Sequence, residues 1–424
     1  MEWTSRALMH SLRSNLAEMP RVAATIAVGI ALGLSCVACH ARGNGGGSGP
    51  ANAPNAAATL RQLAAEPQDS VTFAQITPKR PLDLSRSGGR LGFVWGGPSR
   101  PGAVGSYYYP QDRDFDRSHN AEWYKANRPD WIVYKCDRST PAPLFTYNWG
   151  YYVPVDTTNP AVRQYIFDTY MLPQLRSGVR VIALDNVSLR NGGGRCGVFR
   201  NGAWLQLFSG QGRDLAYTAA ELDWIGWLAR QIHANGGLLA LNARIDPKDE
   251  ANSRKLISLG DIWLNEAAFT HDCEWRASGA DWQMKMKLSQ WAAARMPWVS
   301  LDKTCASPER MTEDEAQWVV GNFLLARGPQ SYLGAFHDGD PPRIVLRYPR
   351  WLNPPIGSPV GAAFAIPGGG KARRFTRGIV VVNPDAAARL SYGLPPGNWS
   401  NLDGAPLSGS VELGPTSAEV ILAR

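Results

Sequence analysis

The sequence predicts an α/β protein, a (β/α)8 TIM barrel followed by a small C-terminal antiparallel β-sandwich. Three observations support this fold class. Eight short apolar runs alternate with helical patterns between Leu91 and Phe336, as in a (β/α)8 barrel. No Gly-rich phosphate fingerprint follows any of these runs before a helix, which disfavours a doubly wound parallel sheet, the alternative fold. After about Asn353 the pattern changes to short strand-like runs separated by turn clusters.

The same changes of pattern predict the domain boundaries. We expect a signal peptide over residues 1–39, a flexible linker over 40–74, the barrel over 75–352 and the β-domain over 353–424. The linker expectation rests on a composition rich in Gly, Ala, Asn and Pro without periodic apolar positions.

The composition excludes some classes of protein. Of the 424 residues, 44% are hydrophobic and only 19% are charged, which excludes a disordered chain for most of the length. The net charge of +8 comes without a long basic run, so we expect no nucleic-acid partner. Fifteen of the 16 tryptophans follow residue 90. They suit either a large core or platforms that stack on a ligand.

The N-terminus has the pattern of a secretory signal. Arginines precede the apolar run Val22–Leu34, which is too short to span a bilayer, and small residues follow it. Cys36 or Cys39 is a candidate for acylation as in bacterial lipoproteins, and the alternative is simple cleavage near Ala38. We therefore expect an exported protein, periplasmic or on the cell surface as a lipoprotein, otherwise secreted. A lipid anchor would be its only membrane contact.

The barrel prediction rests on the order of its elements. The predicted strands are Leu91–Trp95, Trp131–Tyr134, Tyr151–Val155, Val179–Leu184, Leu238–Asn242, Ile262–Asn265, Trp298–Leu301 and Ser331–Gly334. The predicted helices cover about 160–175, 214–234, 247–259, 283–295 and 313–327. Pro160 suits a first helical turn, and Thr312 with Glu315 forms a capping-box pattern. In the β-domain we predict strands at 362–366, 378–383, 389–394, 411–413 and 420–423.

The cysteines predict two disulfides. Four cysteines remain after export, and an even number in an oxidising compartment favours pairing. Cys273 and Cys305 follow adjacent predicted strands, which leaves Cys136 with Cys196. The histidines of the mature chain show no HxxxH or HExxH spacing, so we expect neither a metal nor another cofactor.

Two carboxylates stand out at the carboxyl ends of the predicted strands, where barrel enzymes build their active sites. Asp185 closes the fourth strand and Glu266 closes the sixth. Each has a structural alternative, as a helix cap or a turn residue, but Glu is a poor cap. Two carboxyl groups without a metal are typical of glycoside hydrolysis. Apolar neighbours of Glu266 predict a raised pKa and the role of acid, with Asp185 as nucleophile or base.

Further residues at the strand ends are candidates for sugar contacts. Asn242 and Arg244 end the fifth-strand pattern and are suited to bind hydroxyl groups, the alternative being a turn Asn and a surface Arg. The other candidates, each with a structural alternative such as a turn, an ion pair or the core, are Trp95, Asp137, Trp149, Asp156 and Asp302. Trp204 and Trp275 lie where an indole can stack on a sugar.

Several motifs resemble a known family. The segments Asn127–Tyr134, Val155–Arg163, Ala183–Val187 and Gly378–Pro384 resemble the hypothetical glycosyl hydrolase family fifteen of bacterial (β/α)8 proteins. That family is similar in layout to the endo-α-1,4-polygalactosaminidases. The resemblance implies that Asp185 is the nucleophile, that Glu266 is the acid/base and that the substrate is a polysaccharide.

The motifs add two sugar-contact candidates, Tyr134 and Asn186. The loop Ser188–Arg213 departs from the family pattern because it is long and Gly-rich and carries Cys196. The sequence thus predicts an exported glycoside hydrolase that cleaves an extracellular or envelope polysaccharide. The alternative is a lipoprotein that binds or helps to assemble a glycan without cleaving it.

Overall fold

The computed structural model describes residues 56–64, 69–76, 79–111, 113–116, 118–142, 146–147, 150–151 and 153–424. The expected signal peptide, with Cys36 and Cys39, lies outside these residues, and so does Trp149. The predictions for those positions stay predictions.

Eight parallel strands form the predicted barrel. They are β1 Thr72–Gln75, β2 Arg90–Val94, β3 Tyr107–Pro110, β4 Val181–Ser188, β5 Leu238–Arg244, β6 Ile262–His271, β7 Trp298–Lys303 and β8 Ser331–Phe336. Strand β1 pairs with both β2 and β8. The short strand Val104–Gly105 pairs with β2, and β3, which begins two residues after it, pairs with β4, so the ring of strands is nearly closed.

Two predicted strands are not part of the barrel. Pro129–Trp131 is a 3-10 helix, and Ile132 forms only an isolated bridge with Val155. The apolar residues around Ile132 and Val155 belong to the long connection between β3 and β4, and they are buried there without joining the barrel sheet. Strands β1 and β3 take their places, so Asp185 still lies on the fourth strand.

The barrel also begins earlier than the sequence predicts. Helix Ala56–Ala64 and strand β1 both lie within the segment expected to be a linker. Strand β1 is fully buried, and Phe73 pairs with Leu333 of β8. The short run Thr72–Gln75 shows no alternation of apolar and polar residues because both of its faces are covered.

The five predicted helices lie close to their predicted positions, whereas Ala56–Ala64 and Ala121–Asn127 were not predicted. Their bounds are Ala56–Ala64, Ala121–Asn127, Pro160–Ile166, Leu172–Arg176, Leu215–Ala234, Glu250–Ile257, Gly279–Ala293 and Glu313–Ala326, with a π-helical turn at Phe167–Met171. Thr312 caps the last helix by accepting the N–H of Glu315, whose own side chain accepts the N–H of Cys305 instead of completing the capping box. Among the described helices, none combines the length and the hydropathy needed to cross a bilayer.

The C-terminal β-domain has two antiparallel sheets. The larger contains Phe364–Ala365, Lys371–Phe375, Gly378–Asn383, Ser417–Ala423, Trp399–Ser400 and Pro406–Leu407, and the smaller pairs Leu390–Gly393 with Ser410–Leu413. Ile379 and Val381 face the small sheet, whereas Val380 and Val382 join the core of the barrel. The larger sheet thus connects the two parts of the molecule.

Half of the 14 described tryptophans are buried core residues, one of the two roles that the sequence allows. The largest fully buried side chains include Trp224, Trp263, Trp282, Trp298 and Trp318. Other short strands are Leu82–Asp83 with Leu346–Arg347, Gly197–Arg200 with Ala203–Gln206, Thr146–Tyr147 with Gly150–Tyr151, and Trp275–Arg276.

Candidate active site

Irregularities in two neighbouring strands place Asp185 and Glu266. In β4, Asp185 and Asn186 together lie opposite the single residue Asn242 of β5, which makes a β-bulge. In β6 the register shifts directly after Glu266. The residues that follow the two carboxylates, Asn186 and Ala267, have positive φ values of 62° and 50°. Each strand therefore turns at its carboxylate, on the carboxyl-terminal face of the barrel.

Asn242 connects the two carboxylates. Its Nδ2 donates to Asp185 Oδ1 at 2.7 Å and to Glu266 Oε2 at 2.5 Å. Because both oxygens contact one nitrogen, they lie no farther apart than the sum of these distances, about 5 Å. Tyr108 of β3 donates its hydroxyl to the other Asp185 oxygen at 2.8 Å. Asp185 is thus held from both sides.

Lys303, the last residue of β7, gives the site its fixed positive charge. Its ammonium lies 2.9 Å from Glu266 Oε1 and 3.1 Å from Asp338 Oδ2, and its side chain is only 2% exposed. Burial alone would lower the pKa of Lys303, but the two carboxylates outweigh burial and raise it. Lys303 therefore stays protonated and neutralises part of the acidic charge around it.

The pKa values of the two carboxyl groups separate in the direction opposite to the one predicted. Burial, and then the charge of Glu266, raise the pKa of Asp185 to about 6. Burial also acts to raise the pKa of Glu266, but Lys303 and the hydrogen bonds from Asn242 and Lys303 outweigh it, so this pKa lies below its usual value. The prediction of a raised pKa for Glu266 is wrong because it considered only the apolar neighbours.

Two acidic candidates for sugar contacts have structural partners instead. Asp302 is fully buried and accepts the N–H groups of Phe269 and Thr270, which the register shift of β6 leaves without partners on β7. Asp156 is also buried, and it accepts from Thr158 and from Arg200 at 2.7 Å. Their burial and these partners within the protein correct the prediction that Asp302 and Asp156 contact substrate.

Two aromatic candidates belong to the core. Trp95 is 4% exposed and packs against Phe93. Tyr134 is 7% exposed and packs edge-to-face on Phe199. Neither offers a sugar an accessible ring face, which corrects both predictions. Apolar residues at strand ends are ambiguous in sequence because the barrel core extends to its rim.

The remaining candidates are more accessible. Asp137 is exposed and accepts the N–H groups of Ser139 and Thr140, so it forms a turn. These bonds lower the pKa of Asp137 to about 2. Arg244 is exposed at the end of β5. Asn186 lies beside Asp185, and its buried Nδ2 has no hydrogen-bond partner among the described residues.

Two further indoles are covered by cations. The guanidinium of Arg138 lies 5.4 Å from the Trp204 ring centre, and the ammonium of Lys285 lies 4.4 Å from that of Trp275. A sugar that stacks on these faces would have to displace the cation.

Both predicted disulfides are present. Cys136 is bonded to Cys196, and Cys273 is bonded to Cys305. The second bond joins the loop after β6 to the loop after β7, next to Glu266 and Lys303. The disulfides thus fix loops on the face that carries the two carboxylates.

Three residues of the site were not predicted from the sequence. Tyr108 lies on a strand that was not predicted, and Lys303, which follows the predicted strand Trp298–Leu301 by two residues, was not among the site candidates. Asp338 follows β8 by two residues in the segment Phe336-His337-Asp338. A charged residue directly after the eighth strand was a signal that could have identified it, because all strand ends of a barrel meet on one face.

No family model and no curated protein matches the chain. Solved structures with a similar fold exist, at low identity. One is a GH27 β-L-arabinopyranosidase from Geobacillus stearothermophilus, 10% identical, covering 87% of this chain and 98% of its own, with a TM-score of 0.42. Another is an α-amylase from Malbranchea cinnamomea, 12% identical, covering 87% of both chains, with a TM-score of 0.40. A maltogenic α-amylase from Thermotoga neapolitana is 10% identical and covers 84% of this chain and 99% of its own, with a TM-score of 0.43. Identities this low do not transfer an activity.

Proposed function

We propose that this protein is an exported glycoside hydrolase that cleaves an extracellular or envelope polysaccharide with Asp185 and Glu266. One observation carries the proposal: a single amide nitrogen, Asn242 Nδ2, bonds to both carboxyl groups. Their bonded oxygens are at most about 5 Å apart. Retaining glycosidases separate their carboxyl groups by about 5–5.5 Å, and inverting enzymes by about 6.5–9.5 Å. The spacing therefore favours hydrolysis with retention.

The charges around the site favour particular roles. Lys303 holds Glu266 in its ionised form, which suits a nucleophile, whereas burial raises the pKa of Asp185 to about 6, so Asp185 holds a proton at mildly acidic pH. In the first step Asp185 protonates the glycosidic oxygen while a Glu266 oxygen forms a bond to the anomeric carbon. The carbon–oxygen bond to the leaving sugar breaks, and a glycosyl ester remains.

The second step reverses these roles. Ionised Asp185 takes a proton from a water molecule, the water oxygen attacks the anomeric carbon, and Glu266 leaves as a carboxylate. This order exchanges the roles that the family resemblance implies. Asn242 and Tyr108 hold the two groups in place, and the unpartnered amide of Asn186 is available to a sugar hydroxyl.

Two observations support export. The N-terminal sequence has the pattern of a secretory signal. The two disulfides suit an oxidising compartment. Lipidation at Cys36 or Cys39 belongs to the same proposal, and mass spectrometry of the exported chain tests it.

The test uses the exported, disulfide-bonded protein and a panel of bacterial exopolysaccharides. New reducing ends measure cleavage, and NMR of the first product measures its anomeric configuration. We expect Asp185→Asn and Glu266→Gln each to lower kcat at least about 100-fold on the cleaved glycan while the circular dichroism stays unchanged. The Glu266→Ala variant, which removes the carboxylate and leaves space in its place, should regain activity with azide, which replaces the nucleophile.

Three outcomes separate the alternatives. Azide rescue of Asp185→Ala instead of Glu266→Ala would show that the roles are those of the family resemblance. Full activity in both conservative variants would refute the catalytic pair. Binding of a glycan without cleavage would show the alternative function, a glycan-binding or assembly protein.

A further inference from the structure

A second group of side chains lies beside the candidate active site. His271 is the last residue of β6, Asp272 follows it, and Asp338 lies after β8. The atoms that these three residues can offer to a metal ion all lie within 4.8 Å of one another. The group joins two loops on the carboxyl-terminal face of the barrel.

Two carboxylate oxygens of this group lack hydrogen-bond donors. Asp338 is only 7% exposed, and its Oδ1 has no hydrogen-bond partner in the part of the chain that the structure describes. The same holds for Asp272 Oδ1, whose nearest cationic neighbour is His337 Nδ1 at 3.6 Å. His337 Nδ1 donates instead to the Thr304 carbonyl at 2.8 Å. A buried carboxylate oxygen without a donor is costly, so this arrangement calls for a cation.

The local charge also favours a cation. The ammonium of Lys303 faces two carboxyl groups, those of Glu266 and Asp338, and contacts Asp338 through Oδ2. Asp272 adds a third carboxyl group within 4.8 Å of Asp338. A cation held by His271, Asp272 and Asp338 would reduce this excess of negative charge.

The loop geometry holds the potential ligands in place. Asp272 has a φ of 51°, in the left-handed region that Asp tolerates better than most residues. Its neighbour Cys273 is bonded to Cys305. The disulfide limits the movement of the loop that carries His271 and Asp272.

We propose that His271, Asp272 and Asp338 bind one zinc ion. One imidazole nitrogen and two carboxylate oxygens form a donor set that Zn²⁺ accepts, with bonds of about 2.0–2.2 Å and a fourth position left for water or substrate. Tetrahedral zinc with such bonds needs ligand atoms about 3.4 Å apart, closer than the 4.8 Å within which these atoms lie, so the ligands would move together on binding. A zinc ion here would depart from the expectation of no metal. Its ligands come from two loops, so no local His spacing reveals it.

The test measures metal binding rather than activity. The exported, tag-free protein with intact disulfides is treated with chelator, dialysed and titrated with ZnCl₂ in a calorimeter, with MgCl₂ as the comparison ion. We expect one zinc per chain, an increase of the melting temperature with zinc, and no binding of Mg²⁺ at the same concentration. Anomalous scattering at the zinc edge should place the ion between β6 and β8.

Variants locate the site. His271→Gln and Asp272→Asn should each weaken zinc binding at least about 10-fold, and Asn keeps the left-handed backbone accessible. The matched control is His233→Gln. His233 also pairs with an aspartate, Asp261, at 2.8 Å, but it is exposed and lies in the last turn of helix Leu215–Ala234. His233→Gln should bind zinc as tightly as the unaltered protein.

The proposal is overturned by three results: no stoichiometric zinc binding, equal binding of Mg²⁺ and Zn²⁺, or wild-type affinity in His271→Gln. Circular dichroism confirms that each variant is folded. None of these results bears on the glycosidase proposal, because no step of that mechanism passes through the ion.

Discussion

Lys303 determines the charge of the candidate active site. It is buried between Glu266 and Asp338, and removing it leaves both carboxylates without their cation. The pKa of Glu266 should then rise, by about one to three units, because the interaction that lowered it is lost. As the proposed nucleophile, Glu266 must be ionised. In Lys303→Met the acid limb of the kcat/KM profile should therefore shift to higher pH.

The measurement is kcat/KM against pH for Lys303→Met, with Lys287→Met as control. Lys287 also pairs with a glutamate, Glu250, but its side chain is 58% exposed. The control should keep the wild-type profile. An unchanged acid limb in Lys303→Met would mean that Glu266 is not the ionised partner.

Tyr108 affects the basic limb of the profile of kcat/KM against pH. Asp185, as proton donor, must be protonated, so activity should fall as pH rises through its pKa of about 6. The Tyr108 hydroxyl donates to Asp185 and favours its charged form. Tyr108→Phe should raise the pKa of Asp185, by about one unit, and move the basic limb to higher pH. The acid limb should stay in place. A basic limb that moves to lower pH contradicts the assignment.

At the scale of the strand, the orientation of Glu266 depends on the irregular turn that follows it. Ala267 has a φ of 50°, which costs a non-glycine residue about 1–2 kcal/mol, and Lys285 donates to its carbonyl at 2.8 Å. A β-branched side chain fits this conformation poorly. Ala267→Val should lower the free energy of unfolding by about 1–2 kcal/mol and reduce kcat. Glycine tolerates the conformation, so the free energy of unfolding of Ala267→Gly should stay within about 1 kcal/mol of the wild-type value. Urea denaturation measures the free energy of unfolding of both variants. Equal values for Ala267→Val and Ala267→Gly would exclude the positive φ of residue 267 as the cause.

The sequence predicts elements better than their pairing. The long helices and strands β4 to β8 were found because each combines a clear apolar pattern with enough length. Thr72–Gln75 was missed because a short, fully buried strand has no alternating pattern, and Tyr107–Pro110, which is half-buried, is too short to show one. The apolar segment around Ile132 was taken for a strand because burial under a loop and burial in a sheet leave the same sequence signal.

The site shows the same limit. Asp185 and Glu266 could be predicted because each ends a strand whose face the barrel topology determines. Lys303 could not be assigned to Glu266, since the contact depends on the register between β6 and β7 and on its shift after Glu266. The pKa order of the pair depends on that one contact. A sequence that reveals which carboxylates meet thus does not reveal which of them is ionised.

At the scale of the whole molecule, the barrel and the β-domain share one helix. Helix Glu313–Ala326 packs on the larger C-terminal sheet, and at Gly321 an added Cβ would lie 2.8 Å from the Cβ of Ala418. Alanine favours a helix by about 1 kcal/mol over glycine, but the overpacked contact costs about 1–3 kcal/mol. Gly321→Ala should therefore lower the free energy of unfolding, by about 1 kcal/mol, and Gly321→Val should lower it further.

Gly226 provides the matched control for this contact. It also lies within a helix, Leu215–Ala234, but there an added Cβ would be 3.6 Å or more from its neighbours. Gly226→Ala should stabilise the protein by about 0.5–1 kcal/mol, the ordinary effect of this change in a helix. Thermal and urea unfolding of both variants measure the difference. Because the helix packs on both the barrel and the larger C-terminal sheet, the loss in Gly321→Ala should appear as one cooperative transition at a lower midpoint. Two separate transitions, with only one of them shifted, would show that the β-domain unfolds independently of the barrel.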